Sequence, residues 1–536
     1  MLNRLALQFG DDFTVVNKPS GWSTHAVESP TNSLGSRDWG IFEWAQLDAS
    51  PEATQQKLYV IHRLDKSTTG VLALARSVEV ARKCLPWFQD GKVQKVYQLI
   101  TKALPEDEGH PNFVVRSEIE KGDGKMKNRP DSANWNAETH FQKIKGNAFF
   151  TLWEARPHTG RTHQIRLHAA QIHRPILGDV LYGGDDFPHL CLHAASLQFP
   201  GLPAFVSDAP VFFNRMGLLR DRELILILSA LDSRQRLFDF LHKPQQAFRL
   251  LHKESPDYQA DLFGPVLWIS WFRESPPTAA DLERWNFVAQ LLRRQLLIRP
   301  MINRGKNPQG APDYLRTLDS GSVPEWSFQE NELNFSGRPE QGLSPGLFLD
   351  QRENRRWVQE NSKGKKVLNL FSYTGGFTVA ACKGVAESVT TVDLNAKYLQ
   401  WAKHNLSLNQ ILPEIATDWF AADCEQFVAG AVKRKRQFDL IICDPPSFGR
   451  NGKQIWRIEK NLPDLLQQLG LLLSPRGQIL LSCNFAPWDI TDLQVLVHKA
   501  LPHLELQLLP WRGLDFERQR EPLNMKSLLI HKKERP

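Results

Sequence analysis

The 536-residue sequence has few cysteines and no long apolar run. Its six cysteines never form a Cys-X-X-Cys pair or a Cys/His metal spacing, so neither a metal site nor a disulfide framework is predicted. The longest apolar stretch, Leu224 to Leu231 with one serine inside it, is far shorter than the roughly 20 residues that cross a bilayer. The N-terminus turns acidic before a signal-peptide apolar region develops, so we expect a cytoplasmic protein without membrane partners.

Internal repeats and low-complexity tracts are also lacking. Hydrophobic residues make up 41% of the chain and charged residues 23%, which is the balance of an ordinary globular protein. The length exceeds what one hydrophobic core supports, so two or three domains are expected. The net charge of +7 favours a polyanionic partner, but other basic proteins share this property and the charge alone does not identify a nucleic-acid-binding protein.

The texture of the sequence changes twice, which predicts three segments and an overall α/β multidomain fold. Residues 1–213 contain short β-rich runs separated by turn signals, as in a mixed α/β domain with an antiparallel sheet. Residues 214–345 combine a helical stretch with short strand-like runs. In residues 346–536, strand-like runs (VLNLF, VTTVDL, FDLIICD, QILLS) alternate with helical ones, which predicts a Rossmann-like parallel sheet wrapped by helices.

Four ordered motifs in the first segment carry a resemblance. They are DDFTVVNKPSGWSTH at 11–25, HRLDKSTTG at 62–70, KVYQLIT at 95–101 and GRTHQIRLHAAQIHRPILGDVLYGG at 160–184. HRLD alone would be an ordinary surface ion-pair element. Together, and in this order, the motifs resemble those of the RluA family of pseudouridine synthases across the whole segment.

That resemblance implies a role for four residues and no cofactor. Asp65 matches the catalytic aspartate, Tyr97 the tyrosine that stacks on the target base, and Arg166 the partner of the aspartate; Arg63 is expected to hold the nucleotide. An arginine beside a carboxylate keeps it ionised, and an aromatic ring replaces the stacking that an extruded uridine loses. Thr69 stands where the family usually has serine, and no separate RNA-binding domain precedes the segment, so target selection is expected to depend on the other half.

The third segment contains a strand, a glycine turn and a helix start in VLNLFSYTGGFTVAA at 367–381. Asp393 ends the next strand, where a carboxylate can accept hydrogen bonds from ribose hydroxyls, and Asp423 could reach an adenine. This much also suits NAD enzymes. ICDPPSF at 442–448 favours a base methyltransferase, because two prolines stiffen a loop that can present Asp444, backbone carbonyls and Phe448 to a planar base.

These motifs, together with GLFLDQRENRR at 346–356 and TTVDLNAKYLQWAKHNLSLN at 390–409, resemble the class I methyltransferases that make 5-methylcytosine or 7-methylguanine in large-subunit ribosomal RNA. FRLLHKESPDYQADLFG at 248–264 loosely matches their central domain. The resemblance implies S-adenosylmethionine as the cofactor. The candidate donor contacts are Phe371, Tyr373, Gly375, Asp393, Asp423, Asp444, Gln351 and Arg352. Arg355 is also expected to lie near the donor site.

The methyl acceptor stays open between cytosine C5 and guanine N7. Cytosine C5 is a poor nucleophile and needs a thiolate to add at C6, whereas N7 carries a usable lone pair. Cys483 aligns with the nucleophile of the 5-methylcytosine enzymes and favours cytosine, whereas Asn484 and the 390–409 stretch fit the 7-methylguanine relatives. A buried structural cysteine is the alternative.

The sequence therefore predicts a bifunctional enzyme that makes pseudouridine and a methylated base in RNA. Ribosomal RNA is the expected substrate and transfer RNA the alternative; the oligomeric state is not predicted. Two other hypotheses remain: a methyltransferase whose synthase-like half only binds RNA, and a small-molecule methyltransferase. Retention of Asp65, Tyr97 and Arg166 argues against the first, and the DPPSF motif argues against the second.

Overall fold

The structure is a computed structural model. It describes residues 6–9, 11–25, 27–28, 37–38, 40–48, 57–238, 243–252, 254–301, 325–339, 344–412, 414–451, 454–509, 516 and 525–532. The chain divides into two compact units, Met1–Lys243 and Pro244–Pro536. No helix within these ranges is both long and apolar enough to span a bilayer.

The first unit is built on one large mixed sheet with helices against it. The strands of the unit are β1 (Ala6–Phe9), β2 (Phe13–Lys18), β3 (Val27–Glu28), β4 (Arg37–Asp38), β5 (Tyr59–Val60), β6 (Thr69–Ala75), β7 (Gln94–Lys102), β8 (Asn112–Lys121), β9 (Met126–Arg129), β10 (Ala137–Gly146), β11 (Phe150–Pro157), β12 (Leu192–Gln198) and β13 (Phe205–Val206). Strands β3 and β4 pair with each other, outside the large sheet. The helices of the unit are α1 (Ile41–Asp48), α2 (Val78–Gln89), α3 (Gln164–Gln171), α4 (Val211–Asn214) and α5 (Arg222–Phe238).

The large sheet runs in the order β1-β2-β6-β12-β7-β11-β10-β8-β9, with β13 beside β12 and β5 beside β6. The β6–β12 pair is parallel and the other pairs are antiparallel. Strand β6 is buried along its whole length, as expected for the apolar run TGVLALA in the middle of a sheet. The predicted mixed domain with an antiparallel sheet is confirmed.

Helix α5 extends the first unit past residue 213, where the sequence placed a domain boundary. Arg236 on this helix donates hydrogen bonds to Asn17 beside β6, to the Ser207 hydroxyl and to the Asp208 carbonyl. The same guanidinium pairs with Asp232 one turn earlier. These side-chain contacts tie the helix to the sheet. The helix therefore belongs to the first unit, which spans Met1–Lys243.

The second unit begins with a four-stranded sheet and a hairpin. The four strands are β14 (Ala247–Leu251), β15 (Tyr258–Phe263), β16 (Val266–Trp271) and β17 (Gln295–Pro300), with α6 (Ala279–Leu292) between the last two; the hairpin is β18 (Trp326–Glu330) and β19 (Leu333–Gly337). Side chains from these strands, Trp268 and Phe328 among them, pack into the same core as Val367 and Leu480 of the sheet that follows. The middle segment of the sequence therefore shares a core with the third.

A seven-stranded sheet completes the second unit. Its elements are α7 (Arg352–Asn361), β20 (Lys366–Leu370), α8 (Gly376–Lys383), β21 (Ser388–Asp393), α9 (Ala396–Ser407), β22 (Ala416–Ala421), α10 (Cys424–Lys433), β23 (Phe438–Cys443), α11 (Ile458–Leu471), β26 (Leu473–Cys483), α12 (Ile490–Ala500), β27 (Leu504–Leu508) and β28 (Lys526–Lys532); a hairpin of β24 (Phe448–Asn451) and β25 (Gln454–Arg457) lies outside the sheet.

The strand order is β22-β21-β20-β23-β26-β28-β27. The first five strands in this order are parallel, and β28 is antiparallel to both of its neighbours. The order reverses between β20 and β23. In open α/β sheets, ligands bind outside the carboxyl ends of the strands at this switch point. The predicted Rossmann-like sheet is confirmed, and its ligand edge is defined.

Candidate active sites

Asp65 lies on the loop that enters β6, and the start of the chain clamps this loop. The buried Lys18 ammonium donates to the carbonyls of Pro19, Lys66 and Thr68 at 2.8–3.0 Å. The Thr24 hydroxyl bonds both the N–H and the carbonyl of Leu64. Burial lowers the pKa of Lys18 to about 7, and the nearby charge of Asp65 opposes that shift. The opening motif thus fixes the position of Asp65.

Gly70, the last residue of HRLDKSTTG, allows two strands to meet beside the Asp65 loop. Its φ is +115°, and a Cβ there would lie 2.1 Å from the Ala194 carbonyl oxygen. On the other side of β12, Ala194 pairs with Tyr97 of β7. Strand order therefore brings the Asp65 loop and Tyr97, which are far apart in sequence, to one cleft. Burial, followed by the charge of Asp65, raises the pKa of Tyr97, so its phenol stays neutral.

Arg166, on α3, contacts two carboxylates. Its guanidinium donates to buried Asp179 through Nε and Nη2 at 2.8 and 2.6 Å, and its Nη1 lies 3.6 Å from Asp65 Oδ2. The guanidinium also lies over the Tyr182 ring, 5.0 Å from the centroid. The expected ion pair with Asp65 is present, and Asp179 holds the arginine in place for it.

His163 is a second neighbour of Asp65 that the sequence did not single out. Its Nε2 lies 3.8 Å from Asp65 Oδ2, and its Nδ1 is 2.8 Å from the Tyr182 hydroxyl. Burial lowers the pKa of this imidazole, which favours its neutral form, and Asp65 opposes the shift. His163 adopts a left-handed φ of 57° at the start of α3 and makes no capping bond there. Such backbone strain is typical of residues held for a function.

These groups face a cleft of about 1180 Å³ with a one-sided charge distribution. Among its described lining residues, Asp65 is the sole carboxylate. The cationic lining residues are Arg63, Lys66, Lys95, Arg161 and Arg166. Arg63 is exposed, as a residue that contacts a nucleotide must be. One carboxylate within a ring of cations suits a polyanionic substrate.

The second site begins at the turn between β20 and α8. Phe371 and Tyr373 have left-handed φ values of 54° and 48°, and Gly375 follows at 74°. The hydroxyl of Ser372 is buried without a hydrogen-bond partner in the described chain. A strained turn with an unsatisfied hydroxyl at the switch point fits the binding of a polar ligand such as S-adenosylmethionine.

Asp393 and Asp423 end or follow neighbouring strands but differ in their contacts. Asp393 accepts hydrogen bonds from the N–H groups of Tyr373 and Asn395, both at 2.8 Å, and burial raises its pKa. Each of its oxygens keeps a second lone pair for a ribose hydroxyl. Asp423 caps α10 by accepting from the N–H groups of Glu425 and Gln426. Asp393 stays the candidate contact for the ribose of a methyl donor, and Asp423 stays the candidate for its adenine side.

Asp444 follows β23 at the start of the proline loop. Burial, and then the charge of Asp350, raises the pKa of Asp444 to about 7, while a hydrogen bond from Gln351 opposes the shift. Beyond it, the Ser447 hydroxyl donates to Asn484 at 2.9 Å, and the Phe448 side chain is 61% exposed. The loop thus presents a carboxyl group and an aromatic ring at the ligand edge.

The two arginines expected near the donor are largely used within the fold. Arg355 makes a buried two-point ion pair with Glu330 at 2.6 and 2.7 Å. Arg352 donates to the Ala247 carbonyl and lies 3.7 Å from the same glutamate. Gln351, by contrast, reaches Asp444. The structure therefore supports a site contact for Gln351 more than for Arg352.

Cys483 ends β26 at the ligand edge, yet its side chain is fully buried. It packs in a core cluster with Ile441, Ile458 and Leu481. Burial raises the pKa of its thiol. A nucleophile must be ionised and reachable, so the nucleophilic role stays a prediction that the packing does not favour.

Comparisons with known proteins give a family match in each of the two units. Residues 12–171 match the family described as RNA pseudouridylate synthase, and residues 280–499 match the family described as S-adenosylmethionine-dependent methyltransferase. These matches confirm the two resemblances and the expected cofactor of the second unit.

Two curated relatives and one solved structure are similar to parts of the chain. Ribosomal RNA large subunit methyltransferase K of Neisseria meningitidis is 34% identical over 46% of this chain and 72% of its own length. Ribosomal RNA large subunit methyltransferase K/L of Allochromatium vinosum is 34% identical over 49% of this chain and 37% of its own length. Human RNA pseudouridylate synthase domain containing 4 is 27% identical over 41% of this chain and 94% of its own, with a TM-score of 0.33.

The extent of the match to the Neisseria protein decides the family, because this chain covers more than two thirds of that relative. It spans much less of the K/L relative. The chain belongs to the S-adenosylmethionine-dependent methyltransferase family that includes ribosomal RNA large subunit methyltransferase K, and it carries an RNA pseudouridylate synthase domain in its first unit.

Proposed function

We propose that the chain modifies RNA, most directly ribosomal RNA, at two separate active sites. The second unit transfers a methyl group from S-adenosylmethionine to a base, and the first isomerises uridine to pseudouridine. One observation carries the methyl-transfer proposal. The turn at residues 371–375, which we name the donor turn, and the proline loop at residues 444–448 follow neighbouring strands and lie side by side at one edge of the sheet. The names of the K and K/L relatives support ribosomal RNA as its substrate.

At the methyl-transfer site, bound S-adenosylmethionine supplies an electrophilic methyl group. Asp393 would accept hydrogen bonds from its ribose, and the turn at Phe371–Gly375 would line its binding site. The exposed Phe448 ring and the rigid carbonyls of the proline loop hold the acceptor base flat. Asp444 accepts a hydrogen bond from the base when ionised and donates one when protonated.

We infer that the acceptor is a nitrogen such as guanine N7. Attack on cytosine C6 needs an accessible thiolate, whereas the Cys483 thiol is buried and its pKa is raised. A nitrogen lone pair needs no protein nucleophile. Asn484, which fits the 7-methylguanine relatives, lies beside the proline loop and accepts a hydrogen bond from the Ser447 hydroxyl.

At the isomerisation site, the observation that carries the proposal is a single carboxylate, Asp65, within a cationic cleft beside Tyr97. The glycosidic bond from N1 breaks, the uracil rotates, and a new bond joins C5 to the sugar. C5 then loses its proton and N1 gains one, so the product is an isomer of uridine. The Asp65 carboxylate, which faces the Arg166 guanidinium at 3.6 Å, assists bond cleavage at the sugar or base. Tyr97 stacks on the extruded base.

One experiment tests both activities. Large-subunit ribosomal RNA from cells with and without the gene is mapped for pseudouridine and for methylated bases at nucleotide resolution. We expect one methylated position and at least one pseudouridine to disappear with the gene. Loss of methylation alone would reduce the first unit to an RNA-binding module, and methylation of small metabolites alone by the purified chain would reject the RNA assignment.

A further inference from the structure

The β24–β25 hairpin follows the proline loop directly and has two different faces. Its strands pair antiparallel, with Phe448 opposite Arg457, Gly449 opposite Trp456 and Arg450 opposite Ile455. Directly opposed residues share a face, and faces alternate along a strand. Phe448, Arg457, Arg450 and Ile455 therefore form one face, which we name the outer face, and Gly449 and Trp456 form the inner face.

The inner face anchors the hairpin to the methyl-transfer site. The Trp456 indole N–H donates to the Pro446 carbonyl at 2.7 Å, and the Trp456 ring lies 5.3 Å from the Phe371 ring. At the end of β25, the Arg457 backbone N–H donates to Asn461 of α11. The hairpin is thus held against both the proline loop and the donor turn.

The outer face combines apolar and cationic side chains that point to solvent. Phe448 is 61% exposed and Ile455 46% exposed. Arg450 and Arg457 are exposed as well, and within the described part of the chain neither guanidinium has an ion-pair partner. None of the four residues is acidic. Packing within the unit does not account for this face.

A ring and two unpaired guanidinium groups match the needs of single-stranded nucleic acid. Bases stack on aromatic rings and on guanidinium planes, and phosphates pair with arginine. Because the face starts at Phe448, it is continuous with the slot for the acceptor base. We propose that the outer face binds single-stranded RNA that flanks the methylated nucleotide; this inference rests on the proposed RNA methyltransferase function.

The test uses the full chain and a twelve-nucleotide oligouridylate that carries one 4-thiouridine. Because both units could bind this probe, photo-crosslinked peptides are identified by mass spectrometry. Affinity is measured by fluorescence anisotropy across a range of KCl concentrations. Arg450→Ala/Arg457→Ala removes the cations, Phe448→Ala removes the ring, and Arg476→Ala, an exposed arginine at the opposite end of β26, is the matched control.

We expect crosslinks within residues 448–457. The double variant should flatten the plot of log affinity against log salt by about 1.4, since each phosphate contact on a single strand contributes about 0.7. Phe448→Ala should weaken binding about tenfold at fixed salt. Binding of S-adenosylmethionine and the melting temperature, which report folding, should stay unchanged in all the variants.

An unchanged salt slope in the double variant, or crosslinks confined to residues 1–243, would overturn the proposal and leave the face to an acidic protein partner. The proposed function is judged separately, by tritium transfer from S-adenosylmethionine to ribosomal RNA with the unmutated chain. Failure of that transfer with hairpin crosslinks intact would reject the function and keep the RNA-binding face.

Discussion

Arg166 makes its short two-point ion pair with Asp179, at 2.6 and 2.8 Å, and lies 3.6 Å from Asp65. One guanidinium therefore serves two carboxylates, of which one is buried and the other faces the cleft. The buried partner fixes the orientation of the arginine, and Nη1, which takes no part in that pair, is the guanidinium atom recorded 3.6 Å from Asp65. In the proposed isomerisation, Asp179 would therefore act through Arg166 and not on the substrate itself.

Asp179→Asn should lower the rate of pseudouridine formation at least tenfold, because Arg166 loses the charge that orients it. Removing one partner of a buried ion pair also costs roughly 3–5 kcal/mol of stability. Asp107→Asn is the matched control, since Asp107 pairs with Arg174 in the same unit at 2.7 Å and does not line the cleft. Both variants should melt earlier, and equal losses of single-turnover activity would show that the Asp179 effect is only structural.

Asp65→Asn should abolish pseudouridine formation and leave methylation intact, because the carboxylate acts only at its own site. The replacement keeps the shape of the side chain and removes its charge. Release of tritium from [5-³H]uridine in RNA measures the isomerisation, and methyl transfer by the same preparation is the internal control. Tritium release at the unmutated rate would remove Asp65 from the mechanism.

Asp393→Ala should weaken binding of S-adenosylmethionine, because it deletes the acceptor for the ribose hydroxyls. Hydrogen bonds to a charged group contribute about 1.5–3 kcal/mol, so Kd should rise about tenfold to a hundredfold. Isothermal titration calorimetry measures this change. Glu387→Ala, just before the opposite end of β21, is the control and should bind normally; equal affinities in the two variants would move the donor site elsewhere.

Cys483→Ala should retain methyl transfer within about twofold of the unmutated enzyme if the acceptor is a nitrogen. The thiol contributes packing to a core cluster, so a small loss of melting temperature is expected. Nucleoside analysis of the product should find the methyl group on a purine nitrogen. A covalent complex between the unmutated enzyme and RNA containing 5-fluorocytidine, absent in the variant, would instead restore the cytosine hypothesis.

Asp444 should make the second unit less stable as pH rises from about 4 to about 7. Its pKa is raised from the ordinary 3.8 to about 7, first by burial, so in this window the folded state holds a proton that the unfolded state has released. Asp444→Asn cannot ionise and escapes this loss. Calorimetry should therefore find the melting-temperature advantage of the variant larger at pH 8 than at pH 5, and an equal difference at both would contradict the raised pKa.

The sequence by itself determined the candidate residues of the two proposed sites. Asp65, Tyr97, Asp393 and Asp444 lie in contiguous motifs whose order and spacing are local properties of the chain. The alternation of apolar runs with helical stretches likewise predicted the parallel sheet, because strands buried on both faces need continuous apolar segments.

Only the tertiary structure decided what surrounds those residues. Asp179, Tyr182 and His163 converge on Arg166 and Asp65 through the fold, and Lys18 reaches a loop about fifty residues away in the chain. Cys483 and Asp423 stand where the sequence expected them, but packing buries the one and helix capping engages the other. Burial and hydrogen bonding depend on neighbours distant in sequence. The motifs therefore identified the candidate groups, and the packing of the chain set their accessibility, protonation and orientation.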